Sequence, residues 1–127
     1  MNSLNKVQII GNITREIELR KAKNGRDVCT VGVATNRKYK NASGEYQDEV
    51  EYHNIVCWGK LAEITAKYSG KGQKIYFSGR LQTRKFEKDG LEHFRTEIVA
   101  DNMILLGNKK FENGVVKNDI SVDDLPF

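Results

Sequence analysis

The chain contains no apolar run that approaches the length of a membrane span, and its first residues lack the long apolar segment of a secretory signal. A cytosolic, soluble protein is the expectation. Cysteine is scarce. Cys29 and Cys57 stand alone in apolar, strand-like runs, with no close Cys/Cys or Cys/His spacing. That argues against a disulfide scaffold and against a metal site. Both read as small buried hydrophobes in a reducing compartment. Histidine is equally scarce. His53 lies on a strand-like segment with no nucleophile or paired carboxylate nearby, so it does not suggest catalysis. Asp48, Glu49 and Glu51 cluster, but neighbouring strand residues point to opposite faces and make a poor Mg²⁺ chelate. A nuclease is therefore a distant reading, and no cofactor is called for.

What the chain does have is a modest excess of positive charge. The net charge is +4 and the pI about 9.1. Such a balance points to polyanions as partners, though weakly when taken alone. The excess is unevenly placed. Residues 1–107 carry 18 Lys+Arg against 13 Asp+Glu, while residues 108–127 carry 3 against 4. Every charged side chain in the last nine residues is negative. At this length one domain is expected, with residues 1–107 as its body. Residues 108–127 show little apolar periodicity and read as a disordered tail with a functional tip.

The organising stretch is 50–60, rich in β-branched and aromatic residues and ended by glycine. Strand alternation puts Val50, Tyr52, Asn54, Val56 and Trp58 on one face and Glu51, His53, Ile55 and Cys57 on the other. Both rows hold large apolar groups, so each face needs a cover. A barrel core covers one; a subunit, a ligand or water must meet the other. Flat rings spaced along a strand suit stacking against bases. On this stretch alone, ordinary core is the simpler reading.

Around it, residues 4–13 predict a first strand, broken at Gly11-Asn12. Residues 17–21 briefly resume pairing, and Asn24-Gly25 signals a hairpin turn. Residues 27–39 predict a long strand with a bend or bulge at Gly32. Residues 40–45 are an exposed hairpin loop. The helix is expected over 60–69, with Leu61, Ile64 and Tyr68 as its apolar stripe and Gly70 as its C-terminal cap. Residues 73–86 return to strand. Ile75, Phe77 and Leu81 share one face; Tyr76, Ser78, Arg80, Gln82, Arg84 and Phe86 share the other. Asp89-Gly90 is a second hairpin signal, and 93–106 a last strand. Three strands, one short helix and two strands, with glycine breaks, match an all-β five-stranded OB-fold barrel whose helix, between strands three and four, plugs one end. A helix this short could not cover a flat sheet of that size.

Several motifs now combine. Asn5-Lys6-Val7 leads to Gly11-Asn12. Glu51-Tyr52-His53 runs on to Trp58-Gly59-Lys60-Leu61-Ala62-Glu63. Lys71-Gly72 leads to Gly79-Arg80-Leu81-Gln82-Thr83-Arg84-Lys85-Phe86, and the chain ends Asp123-Asp124-Leu125-Pro126-Phe127. This pattern resembles bacterial-type single-stranded DNA-binding protein, chromosomal or phage-encoded, over residues 3–107 and again at the tip. The resemblance implies a non-enzymatic homo-oligomer, usually a tetramer. It implies sequence-independent binding of single-stranded DNA during replication, recombination and repair, in the cytoplasm with the nucleoid. It places stacking aromatics at Tyr39, Tyr52, Trp58 and Phe86, and a subunit contact at His53 and Tyr76. Asp123, Asp124, Leu125, Pro126 and Phe127 would dock replication and repair proteins, a basic pocket taking the plug and carboxylate. Lys6, Arg20, Lys60, Lys71, Lys74, Arg80, Arg84 and Lys85 are candidate phosphate contacts, the last two flanking Phe86. The sequence departs from the family at Asn54 and Gln82, where a basic group is common, and has smaller rings at Tyr39, Tyr52 and Phe86. A different OB-fold module, binding RNA or restarting replication, is the alternative.

Overall fold

The computed structural model describes residues 2–107; the tail and its acidic tip lie outside the described residues. Seven elements follow in order: β1 (Val7–Ile13), β2 (Arg20–Lys21), β3 (Asp27–Lys40), β4 (Tyr46–Trp58), α1 (Gly59–Tyr68), β5 (Lys74–Lys88) and β6 (Leu91–Leu105). The sheet runs β1-β5-β6-β4-β3-β2, and a further β1–β3 pairing closes it. Five strands thus form the expected barrel. β2 is an added two-residue rung on β3, where brief pairing was anticipated.

Closure depends on β1 changing partners. Its first residues pair with β5, while Asn12 and Ile13 pair with Ala34 and Val33 of β3. The expected break at Gly11-Asn12 is instead this handover, and the strand continues to Ile13. Glycine is needed there because a Cβ on Gly11 would overlap the Ala34 carbonyl. The chain begins pairing at Val7, later than residue 4. Asn5 nonetheless ties its segment to β5, its side chain both accepting from Leu81 N and donating to Leu81 O at 2.9 Å.

The core holds Ile13, Val31, Val33, Ile55, Cys57, Ile75, Phe77, Ile98 and Met103, the inward rows of the five strands. Ile55 and Cys57 are fully buried, so the inward parity of β4 is as expected. Cys29 and Cys57 are direct cross-strand partners, both free and fully buried. The neighbouring Cys29 sulfur, and then burial, push the Cys57 thiol above its ordinary range.

Three local expectations are corrected. Gly32 stays in register opposite Asn54; the irregularity falls at Ser78/Gly79, between β5 and β6. Leu81 is 49% exposed, because the strand leaves the core soon after that irregularity. The helix buries Ala62 and Thr65 most deeply, with Leu61 and Ile64 only partly covered. Its C-cap is Ser69, extended at φ −114°, whose N–H donates to the Thr65 carbonyl at 3.0 Å. Gly70 instead donates its N–H to Gln73 Oε1 at 2.7 Å, and positive φ falls on Gly72. The two hairpin signals hold. Gly25 has φ 84°, and Asp89 and Gly90 have φ 56° and 77°, as a two-residue turn requires.

β4 and β6 pair in parallel at Ile55–Ile98 and Val56–Val99, so their starts lie at the same end of the barrel. The β3–β4 and β5–β6 hairpins therefore extend beyond that end as two arms, largely exposed on both faces. The helix follows the far end of β4 and packs at the opposite end, where the Cys29 thiol lies 3.7 Å from the Ala62 carbonyl.

Candidate nucleic-acid interface

On the outer wall the rungs of β3 and β4 pair Val28 with Trp58, Thr30 with Val56, Gly32 with Asn54 and Ala34 with Tyr52. Trp58 is half-buried and Tyr52 is 74% exposed. Continuing outward, the same face of β4 carries Val50, Asp48 and, at the arm's tip, Tyr46, 72% exposed and opposite Lys40. Three rings thus share one face of one strand, spaced six residues apart, or about 20 Å at the usual rise. Tyr46 escaped the sequence reading because it adjoins a polar loop; the alternation of β4 was the signal that could have found it.

Beside Trp58 lies a groove of about 290 Å³, floored by Val28, Thr30, Val56 and Val99 and flanked by Arg20, Gln82 and Arg84. Arg26 also attends the indole, its Cζ 5.2 Å from the ring centroid. It was not among the sequence candidates, since the turn that presents it gives no pairing pattern. Arg84 reaches Glu97 through Nε at 3.0 Å and Nη2 at 3.4 Å, a forked pair over a buried carboxylate. That carboxylate raises the Arg84 pKa above its ordinary value. Further along the β5–β6 arm, Phe86 stacks on His93 at 5.4 Å, with Arg84 and Arg95 at 5.9 and 5.7 Å from the Phe86 ring. Arg80, Gln82, Arg84 and Phe86 form one row opposite Val99, Glu97, Arg95 and His93.

Other sequence candidates are placed elsewhere. Tyr39 is 37% exposed on the opposite face of the β3–β4 arm from Tyr52, with Arg37 Cζ 4.9 Å from its ring and Arg37 paired to Glu49 at 3.3 Å. Lys85 faces away from Arg84 and pairs with Glu92 at 2.6 Å. Lys60, in the helix's first turn just beyond Trp58, lies 4.0 Å from Glu63. Lys6 is exposed ahead of β1, Lys71 is exposed between the helix and β5, and Lys74 is exposed at the first position of β5. None of these three is brought into the groove beside Trp58. His53 stands in the inward row of β4 at the barrel mouth, 2.9 Å from Thr35 Oγ1. Tyr76 is on the outer wall, opposite Ile10, its hydroxyl accepting from Gln8 Nε2 at 2.9 Å. The structure does not gather those two.

Among the described residues no group of three or more His, Cys, Asp or Glu could hold a metal ion, and no helix is long and apolar enough to cross a membrane.

A small closed barrel with Trp58 and two guanidinium groups lining an outer groove, and exposed Tyr52 further along the same strand face, defines an OB-fold nucleic-acid-binding module. The particular family follows from comparison. The single-strand binding protein family matches residues 4–106, and the chain belongs to that family, whose members bind single-stranded DNA and are not enzymes. The chain is 42% identical over 113 residues to the single-stranded DNA-binding protein 1 of Chlorobaculum tepidum, covering 87% of this chain and 70% of the relative. A Neisseria meningitidis single-stranded DNA-binding protein is also 42% identical, and the match spans 88% of this chain but only 65% of that protein. The single-stranded DNA-binding protein 2 of Streptococcus agalactiae is 40% identical over 119 residues, covering 94% and 88%. Among solved structures, a Plasmodium falciparum protein of the family in complex with single-stranded DNA superimposes with a TM-score of 0.77 at 28% identity, covering 84% of this chain and 97% of that one. A deletion mutant of the Thermus aquaticus single-stranded DNA-binding protein gives 0.73 at 29% identity, covering 81% and 50%.

Proposed function

We propose that the chain coats single-stranded DNA without regard to sequence, bases lying on rings and phosphates against cations. The observation that carries this is Trp58, half-buried in a groove edged by Arg20 and Arg84, with Arg26 at its ring and exposed Tyr52 on the same strand face. Every base has a π-face and every nucleotide a phosphate, so this pairing of groups is indifferent to sequence. Phe86, with Arg80, Arg84 and Arg95, continues the surface along the second arm, and Tyr46 with Lys40 extends it along the first.

Replacing Trp58 by alanine weakens oligo-dT binding by about 1–3 kcal/mol while the fold survives. Fluorescence anisotropy and circular dichroism measure both, and an unchanged affinity removes Trp58 from the surface. Competition between oligo-dT and oligo-U separates this reading from an RNA-binding module of the same fold.

The wider role is coating of DNA strands exposed in replication, recombination and repair, in the cytoplasm with the nucleoid. Residues 1–107 supply the DNA-binding body, assembled as a homotetramer through contacts that include His53 and Tyr76. Residues 108–127 end in the partner-docking tip, Asp123 to Phe127. Deleting Phe127 abolishes capture of a replication or repair partner and leaves oligo-dT affinity nearly intact. Retained capture overturns the docking role.

A further inference from the structure

Arg15 lies in the connection between β1 and β2, outside every motif of the chain. Its Nη2 donates to Asn54 Oδ1 at 3.1 Å, on the outer face of β4. Its other terminal nitrogen lies over Gly32, the residue paired with Asn54; a Cβ on Gly32 would overlap Arg15 Nη1. The rung Gly32–Asn54 is thus a cradle. One side supplies an amide oxygen, and the other supplies the space left by a missing side chain. A guanidinium has five N–H donors, and the residue remains exposed, so donors stay free toward solvent.

The position of that cradle matters. Counting along the outer wall, it falls between the Trp58 rung and the Tyr52 rung, one rung from Tyr52 and two from Trp58. Asn54 has no charge of its own, and no other rung between the two rings carries a cation. A strand stacked on both rings must carry its phosphates past this point. Glu16, Glu18 and Arg20 line the same hollow as Arg15 and Thr30, yet among the described residues Arg15 makes an ion pair with neither carboxylate and its hydrogen bond goes to Asn54.

We infer that Arg15 is a phosphate-binding residue delivered from the β1–β2 connection to the gap between Trp58 and Tyr52, with Gly32 and Asn54 as its seat. This rests on the DNA-coating reading and adds a specific contact to it. The test compares full-length wild type with Arg15→Ala, Arg15→Lys and Gly32→Ala, titrating oligo-dT across a salt series. Arg15→Ala lowers affinity several-fold at low salt and reduces the magnitude of the slope of log K against log salt by about 0.7, the loss of one single-strand phosphate contact. Arg15→Lys keeps most of that slope. Gly32→Ala keeps the charge but displaces it, so affinity falls although composition in Lys and Arg is unchanged. Circular dichroism confirms that each variant is folded. Wild type that binds, with Arg15→Ala matching it in affinity and slope, overturns the inference alone. Wild type that fails to bind overturns the DNA-coating reading with it.

Discussion

At the scale of single residues, the structure depends on atoms that are missing as much as on those present. The barrel seam at Gly11 exists because nothing projects from its Cα toward the Ala34 carbonyl. Backbone cannot yield there as a flexible side chain can. Gly11→Ala should therefore cost about 2 kcal/mol or more, seen as a lower urea midpoint with an unchanged slope. The thiols give a second expectation. Cys29 and Cys57 are fully buried, and the Cys57 thiol is held protonated by its neighbour and by burial. With both sulfurs sealed from solvent, an aromatic disulfide reagent should label neither cysteine in the native protein near neutral pH and both after denaturation. Rapid native labelling would show that β3 and β4 separate more readily than their packing implies. Both cysteines were legible as core from the apolar company they keep. Arg15 was not, because a cation in a polar connection gives no sign of which strand it will lie across. Gly32 was legible as a special position, but a sequence cannot distinguish a glycine that bends a strand from one that makes room for a neighbour.

At the scale of elements, the long strands divide into a barrel part and an arm part. In β4 the burial changes near His53: the outer residues are exposed, and Ile55 and Cys57 are fully buried. The arm is held locally. At the tip of β3–β4, Asn41 Oδ1 accepts from Ser43 N at 2.9 Å and Glu45 N at 3.0 Å. Tyr46 therefore contributes nothing to the core. Tyr46→Ala should leave the melting temperature unchanged while weakening long oligo-dT more than an oligomer too short to pass Tyr52, as paired titrations would show. Equal effects on both lengths would place Tyr46 off the track. The alternation of β4 was legible because period-two patterning survives twist. Burial along β5 was less so: the irregularity at Ser78/Gly79 shifts its register against β6, and the strand then leaves the core, exposing Leu81. The helix stripe was legible in part, since Leu61 and Ile64 do pack against the core. Its largest apolar side chains lie at the margin, and the small residues Ala62 and Thr65 approach the barrel most closely.

At the scale of the whole molecule, the charge excess belongs to residues 1–107, and two of its arginines, Arg20 and Arg84, line the groove beside Trp58. Oligo-dT affinity should fall linearly in log K against log salt, with a slope near −0.7 for each phosphate engaged. A flat salt response would contradict the phosphate contacts as a class. His53→Glu would place a carboxylate at the barrel mouth beside Thr35, and should loosen the assembly in analytical ultracentrifugation if that mouth meets another copy. An unaltered sedimentation coefficient would remove His53 from the interface.

The division of labour between barrel and arm has a practical corollary. Ser43 sits at the turn of β3–β4, beyond the last ring and remote from every packed side chain of the interior. A cysteine-linked dye installed there, its reaction directed by the concealment of the two native thiols, would ride at the far end of the track. Its brightness would register the arrival of a strand without perturbing the body that holds it.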